Sequence, residues 1–171
     1  MRNLKAMVKK TSGTKIKKML LPAKPILWLT GQTGAGKTTL ANAIQRKMGG
    51  VVLDGDEMRQ SISLGLGFTK NDRDRHNLRV ARLAKVLSKK NIVIVSVIAP
   101  FKATRKKIDK IADPIWIYVK KGFEPANEKP YEIPTNFRIM VDSDKQTTRN
   151  QVDVILKALG RKKISVRNHA A

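Results

Sequence analysis

The stretch Ile26-Leu27-Trp28-Leu29-Thr30-Gly31-Gln32-Thr33-Gly34-Ala35-Gly36-Lys37-Thr38 decides the fold. Its first five residues are a continuous apolar run ending in glycine-rich sequence, as a buried parallel strand does. Residues 31–38 then match G-x-x-x-x-G-K-[ST] in full, and Leu40, Ala41, Ile44 and Met48 follow at helical spacing. A strand, a glycine loop and a helix in this order form a phosphate cradle. The glycines let backbone N–H groups turn inward as an anion nest, and the helix N-terminus adds its dipole. Lys37 is placed to neutralise the β/γ oxygens of a nucleoside triphosphate, and the Thr38 hydroxyl to ligate Mg²⁺. Gly31, Gln32, Thr33, Gly34, Ala35, Gly36, Lys37, Thr38 and Thr39 are therefore the expected ATP-binding residues.

Outward from this loop the chain alternates strand-like and helix-like runs. Further strands are expected at 51–53, 92–98, 115–119 and 138–141, and helices at 37–48, 56–64, 73–90, 102–111 and 146–159. In the third helix Val80, Leu83, Ala84 and Leu87 form a buried stripe, with Arg75, Arg79, Arg82 and Lys89 opposite. The pattern predicts an α/β fold of three layers, a parallel five-stranded sheet between helices.

The 171 residues suit one domain, and 41 % hydrophobic content supplies a core. No run reaches the ~18 apolar residues of a membrane span. The absence of cysteine excludes disulfide scaffolds, zinc fingers and cysteine nucleophiles, and the two histidines, His76 and His169, do not make a His-rich metal site. Nothing between Met1 and Leu21 forms a secretory apolar region, so a cytoplasmic location is expected.

The net charge of +23 is unevenly placed. Residues 1–24 hold eight basic residues and no acid, and 161–171 hold four more. That leaves 24 basic and 13 acidic residues in 25–160, a net +11. The expected organisation is a basic extension (1–24), a kinase domain (25–160) and a basic tail (161–171). The ends are suited to flexible, non-specific contact with nucleic acid.

Among proteins with such a loop, a GTPase fits poorly. Thr69-Lys70-Asn71-Asp72 follows loop-like sequence rather than a strand, and no D-x-x-G switch follows the second or third strand. A mechanical ATPase needs an apolar strand ending in acids, whereas 92–98 ends in Ala99-Pro100. A kinase remains, and it needs a carboxylate near the phosphates. Asp54-Gly55-Asp56 follows the strand at 51–53 and so emerges at the same sheet edge as the loop. The same residues also suit an Asp-Gly turn with a helix cap at Asp56.

Leu53-Asp54-Gly55-Asp56-x-x-Arg59, Leu66-Gly67-Phe68-Thr69, Asp72-Arg73, Arg79-Val80, Val97-Ile98-Ala99-Pro100-Phe101-Lys102-x-x-Arg105 and Tyr131-Glu132-x-Pro134 together resemble the adenylylsulfate kinase family over 25–160. That family moves the ATP γ-phosphoryl group to the ribose 3′-hydroxyl of adenosine 5′-phosphosulfate with Mg²⁺, and is often assembled as a homodimer. The resemblance implies Asp56 as the carboxylate facing the 3′-hydroxyl, and Asp54 as a partner in the metal–water network. It implies Arg59 and Arg73 as ligands of the acceptor's anionic groups, and Ile98 and Phe101 as lining of the acceptor pocket. His76 stands where the family has Asn, with Asn77 one position later, so both are assigned to acceptor binding. Ala99 replaces the family's usual Ser, which removes any phosphoserine role there.

The largest departure is the lid. Only Lys120–Pro130 separates the fourth strand from Tyr131, where the family carries a long Arg-, Lys- and aromatic-rich segment. Phe123 and the basic ends are candidate substitutes. With the lid shortened, the acceptor remains open between adenylylsulfate, another nucleotide anhydride, a polyol and a nucleic-acid hydroxyl. A non-enzymatic basic nucleic-acid-binding module is the alternative of another class, and the low aromatic content (5 %) speaks against it.

Overall fold

The computed structural model describes residues 24–122 and 130–160. The basic extension apart from Lys24, the basic tail and Phe123 lie outside the described residues. Strands and helices follow in the order β1 (Ile26–Thr30), α1 (Lys37–Met48), β2 (Val51–Asp54), α2 (Gly55–Gln60), α3 (Lys70–Leu87), β3 (Val93–Ser96), α4 (Lys102–Ala112), β4 (Ile115–Lys120), β5 (Ile139–Asp142) and α5 (Thr148–Ala158). All strand pairs are parallel, and the sheet order is β2-β3-β1-β4-β5.

The period of two along β1 distributes its side chains to opposite faces. Leu27 and Leu29 join Leu40, Ile44, Val152 and Ile155 beneath α1 and α5. Ile26 and Trp28 join Met58, Val80, Ala84 and Ile108 beneath α2, α3 and α4. Each such fully buried aliphatic side chain contributes about 1.5–3 kcal/mol of transfer free energy. The expected three-layer α/β sandwich is the architecture found. Among the described residues, no helix is long and apolar enough to cross a membrane.

Most element boundaries shift by a few residues from the sequence expectation, and three of the shifts have a local reason. Helix α3 starts at Lys70 rather than 73, because the Thr69 hydroxyl accepts from the Asp72 amide (3.1 Å) and donates to the Asp72 carboxylate (2.7 Å). That reciprocal cap satisfies an orphan N–H of the first turn. Strand β3 stops at Ser96, since the next carbonyl, Val97 O, is taken by the Trp28 indole at 2.9 Å. Helix α2 ends at Gln60, and its N-cap is Asp54 rather than Asp56: the Asp56 amide donates to Asp54 Oδ1 at 3.1 Å.

Since β1 is central, with β3 on one side and β4 on the other, the connection leaving β1 runs toward β2 and the one leaving β3 crosses past β1 to β4. The crevice where they part lies at the carboxyl ends of the strands, and there the glycine loop emerges.

Candidate active site

The loop between β1 and α1 turns through two glycines in the left-handed region, Gly34 (φ 77°) and Gly36 (φ 85°). Gly31 is required for another reason: a Cβ there would stand 2.4 Å from Val119 O. From outside, the loop is held by neighbouring strand ends. Gln32 Nε2 donates to Lys121 O (2.9 Å) and Gly122 O (3.0 Å), and Lys121 Nζ donates to Gly34 O (3.1 Å). The Ser143 hydroxyl donates to Ala35 O at 2.9 Å. Lys37 Nζ folds back over the loop to Gln32 O at 2.8 Å. Burial pushes the Lys37 ammonium down to about 8, against the opposing pull of Asp54 and Asp56. A desolvated ammonium beside two carboxylates is prepared for a polyanionic ligand.

A cleft of about 380 Å³ opens beside this loop. Thr33, Gly34, Lys37 and Thr38 line one side, and Asp54, Asp56, Arg59, Arg73, His76, Asn77 and Ile98 line the rest. The structure thus brings the expected donor and acceptor residues into one cavity. The Thr38 hydroxyl donates to Asp54 Oδ2 at 2.6 Å and lies 3.3 Å from Ser96 Oγ. Hydroxyl and carboxylate oxygens grouped in this way are the hard donors that Mg²⁺ takes. Gly31, Gln32, Ala35 and Gly36 shape the loop without lining the cleft, and Thr39 is exposed on α1.

Phe101 is placed differently from the expectation. It is buried at the N-cap of α4, with Lys70 Nζ 5.4 Å from its ring centroid, and it does not line the cleft. The loop turns through Ala99 (φ 46°), so Ile98 and Pro100 supply the wall instead.

The sequence reading missed Phe68 as a site residue. It is 67 % exposed at the cleft, with the Arg59 guanidinium 4.4 Å and the Arg73 guanidinium 5.3 Å from its ring centroid. Arg59 also donates to Gly67 O (3.0 Å) and Arg73 Nε to Phe68 O (2.8 Å), which fixes both forks around the ring. Burial, and then the neighbouring Arg73 charge, push the Arg59 guanidinium down from its ordinary value. Two cations crowded at one aromatic ring favour an anion between them. The signal in the sequence was an apolar aromatic within a Gly-x-Gly loop flanked by arginines.

His76 and Asn77 are buried side by side. His76 Nδ1 lies 3.0 Å from Ser63 Oγ, and burial, then the Arg59 and Arg79 charges, push its imidazole down to about 4. It is a neutral hydrogen-bonding group at neutral pH. Asn77 Nδ2 donates to Arg73 O at 2.8 Å, whereas Asn77 Oδ1 is the buried side-chain acceptor left without a partner among the described residues. An orphan acceptor at a cleft wall suits a donor on a bound molecule.

Comparison with known proteins places these features in a family. The model of the adenylylsulphate kinases matches residues 23–130. The chain belongs to the adenylylsulphate kinase family. A probable adenylyl-sulfate kinase of Archaeoglobus fulgidus is 36 % identical over 150 residues, covering 70 % of this chain and 96 % of the relative. One of Pseudomonas aeruginosa is 34 % identical over 161 residues, covering 77 % and 75 %. The Mycobacterium tuberculosis APS kinase CysC, solved in complex with AMPPNP and APS, superposes with a TM-score of 0.72 at 21 % identity, covering 82 % and 99 %, a likeness of fold. As a member of this kinase family, the protein is a phosphotransferase with an alcohol acceptor. Neither a nucleic-acid-hydroxyl kinase nor a non-enzymatic binding module is favoured.

Proposed function

We propose that this adenylylsulphate kinase transfers the γ-phosphoryl group of ATP to the 3′-hydroxyl of adenylyl sulfate. The observation that carries the reading is one cleft lined both by the phosphate loop and by paired arginines around an exposed aromatic ring. Phe68 offers a face for a base, and Arg59 and Arg73 offer bidentate donors for the phosphosulfate. Asn77 Oδ1 offers an acceptor for an amino or hydroxyl group of the nucleotide.

In the reaction, the 3′-oxygen forms a bond to the γ-phosphorus as the bond from that phosphorus to the β–γ bridging oxygen breaks, and ADP leaves. Asp56 takes the proton of the 3′-hydroxyl. The backbone amides of residues 33–38 and Lys37 hold the charge on the transferring group. Mg²⁺, held by the Thr38 hydroxyl and by Asp54 through water, would neutralise the phosphate oxygens. The Asp54–Thr38 bond orients both groups before the ion arrives.

The same reading implies a sulfate-assimilation role, a cytoplasmic location and a homodimer, the last tested by sedimentation of the full chain. Labelled ATP supplies the decisive assay. Label is expected on adenylyl sulfate and not on oligonucleotides; label on DNA or RNA alone overturns the proposal.

A further inference from the structure

Four successive carbonyls of the loop between β3 and α4 are each taken by a donor from the body of the protein. Val97 O accepts from the Trp28 indole and Ile98 O from the Thr30 hydroxyl. Ala99 O accepts from Arg105 Nη1 at 2.8 Å. Pro100 O accepts from the same nitrogen at 3.1 Å and from the Glu132 amide at 2.9 Å. The other fork of Arg105, Nη2, donates to Glu132 O at 2.9 Å. Arg105 is 6 % exposed, and its two bonds to the Ala99 and Pro100 carbonyls are buried.

The arrangement has two further parts. Ala99 stands at φ 46°, in the left-handed region that a side chain disfavours, so its conformation is imposed by its surroundings. Beyond Arg105, the segment after the shortened lid is docked on the same loop. The Glu132 carboxylate accepts from the Lys102 amide at the start of α4, and the Tyr131 hydroxyl lies 3.2 Å from Thr30 Oγ1. A planar fork serving three carbonyls from two segments is a geometry that a lysine does not reproduce. None of its bonds reaches residues 31–38.

We propose that Arg105 is a positioning residue for the acceptor: it holds the turn at Ala99, so that Ile98 and Pro100 form a fixed wall, and it fastens that wall to Glu132. The assignment rests on the acceptor reading given above. It makes the acceptor side of the cleft depend on a side chain that lies outside the cleft lining, and leaves the ATP side independent of it.

The test uses the full chain with Arg105→Met and Arg105→Lys, their melting temperatures, and initial rates with each substrate varied. Arg105→Met is expected to raise KM for adenylyl sulfate about tenfold or more and to leave KM for ATP within about twofold. Arg105→Lys is expected to recover part of that loss. A rise of both KM values in step, or of neither, overturns the proposal. Wild-type protein that transfers nothing to adenylyl sulfate would sink the acceptor reading instead. Amide exchange then still decides the part played by Arg105. Faster exchange at Glu132 and Lys102 in Arg105→Met supports the fastening, and unchanged protection overturns it.

Discussion

The hydroxyl of Thr38, in the first turn of α1, donates a 2.6 Å hydrogen bond to Asp54 Oδ2 at the end of β2. That bond joins the phosphate loop to the acidic pair across the cleft. Asp54 also caps α2 through the Asp56 amide, so one carboxylate positions both the Thr38 oxygen and the Asp56 backbone. Asp54→Asn is expected to lower kcat about 10²-fold, through misplacement of both groups. Asp56→Asn, which removes the proton acceptor, is expected to lower kcat by roughly 10²–10⁴-fold with KM for ATP little changed. Saturation kinetics with purified variants check both, and full turnover by Asp56→Asn would refute its role.

Proton linkage at Lys37 follows from its burial. With the free-protein value at about 8, the ammonium is about half protonated at pH 8. Triphosphate oxygens favour the charged form, so Lys37 is expected to take up roughly half a proton on ATP binding near pH 8. Calorimetric titration in buffers of different ionisation enthalpy measures this directly. Equal heats in all buffers at pH 8 would contradict it.

His76 makes stability depend on pH in the acid range. Its folded value, about 4, lies below the ordinary 6.5, so the unfolded chain binds the extra proton in between. Stability is therefore full above about pH 6.5 and is lost as pH falls toward 4, by on the order of 3 kcal/mol. His76→Gln, which keeps a hydrogen-bonding group without a titratable ring, is expected to flatten the melting temperature between pH 6.5 and 4. An unchanged pH slope in the variant would be the contrary result.

Two glycines of the phosphate loop separate steric from conformational cost. Gly31→Ala drives a Cβ toward the Val119 carbonyl at 2.4 Å, and backbone must move; a loss of about 1–3 kcal/mol is expected. Gly34→Ala meets nothing within 4 Å, so its cost is that of a left-handed alanine, about 1–2 kcal/mol. Because β4 shifts only in the first variant, urea unfolding should show both losses. Lowered protection of the β4 amides should appear in Gly31→Ala alone.

Local sequence carried the sheet well, because each strand is a short apolar run, and β1 and β3, buried on both faces, need no long-range information to be read. The phosphate loop was legible for the same reason: its spacing, strand and helix are contiguous. What escaped was set by partners distant in the chain. The Phe101 ring is turned away from the cleft by the left-handed Ala99, and no local pattern announces that turn. Phe68, on the loop after α2, becomes a site residue only once Arg59 of α2 lies over its ring. Arg105 stands within a recognisable motif, yet its role depends on Glu132, 27 residues away. The early start of α3 was recoverable in principle, since Thr69 and Asp72 spell its cap.

The Trp28 indole that ends β3 has a partner of its own kind. Trp116 lies 5.3 Å from it, ring centroid to ring centroid, and these are the chain's two tryptophans. One indole N–H grips the Val97 carbonyl at the root of the acceptor wall, and the other grips Asp109 on α4. Tryptophan emission from this protein therefore arises from one buried chromophore pair, fastened to the wall that the nucleotide acceptor would press against. The enzyme carries an intrinsic optical gauge of that wall, readable without any label.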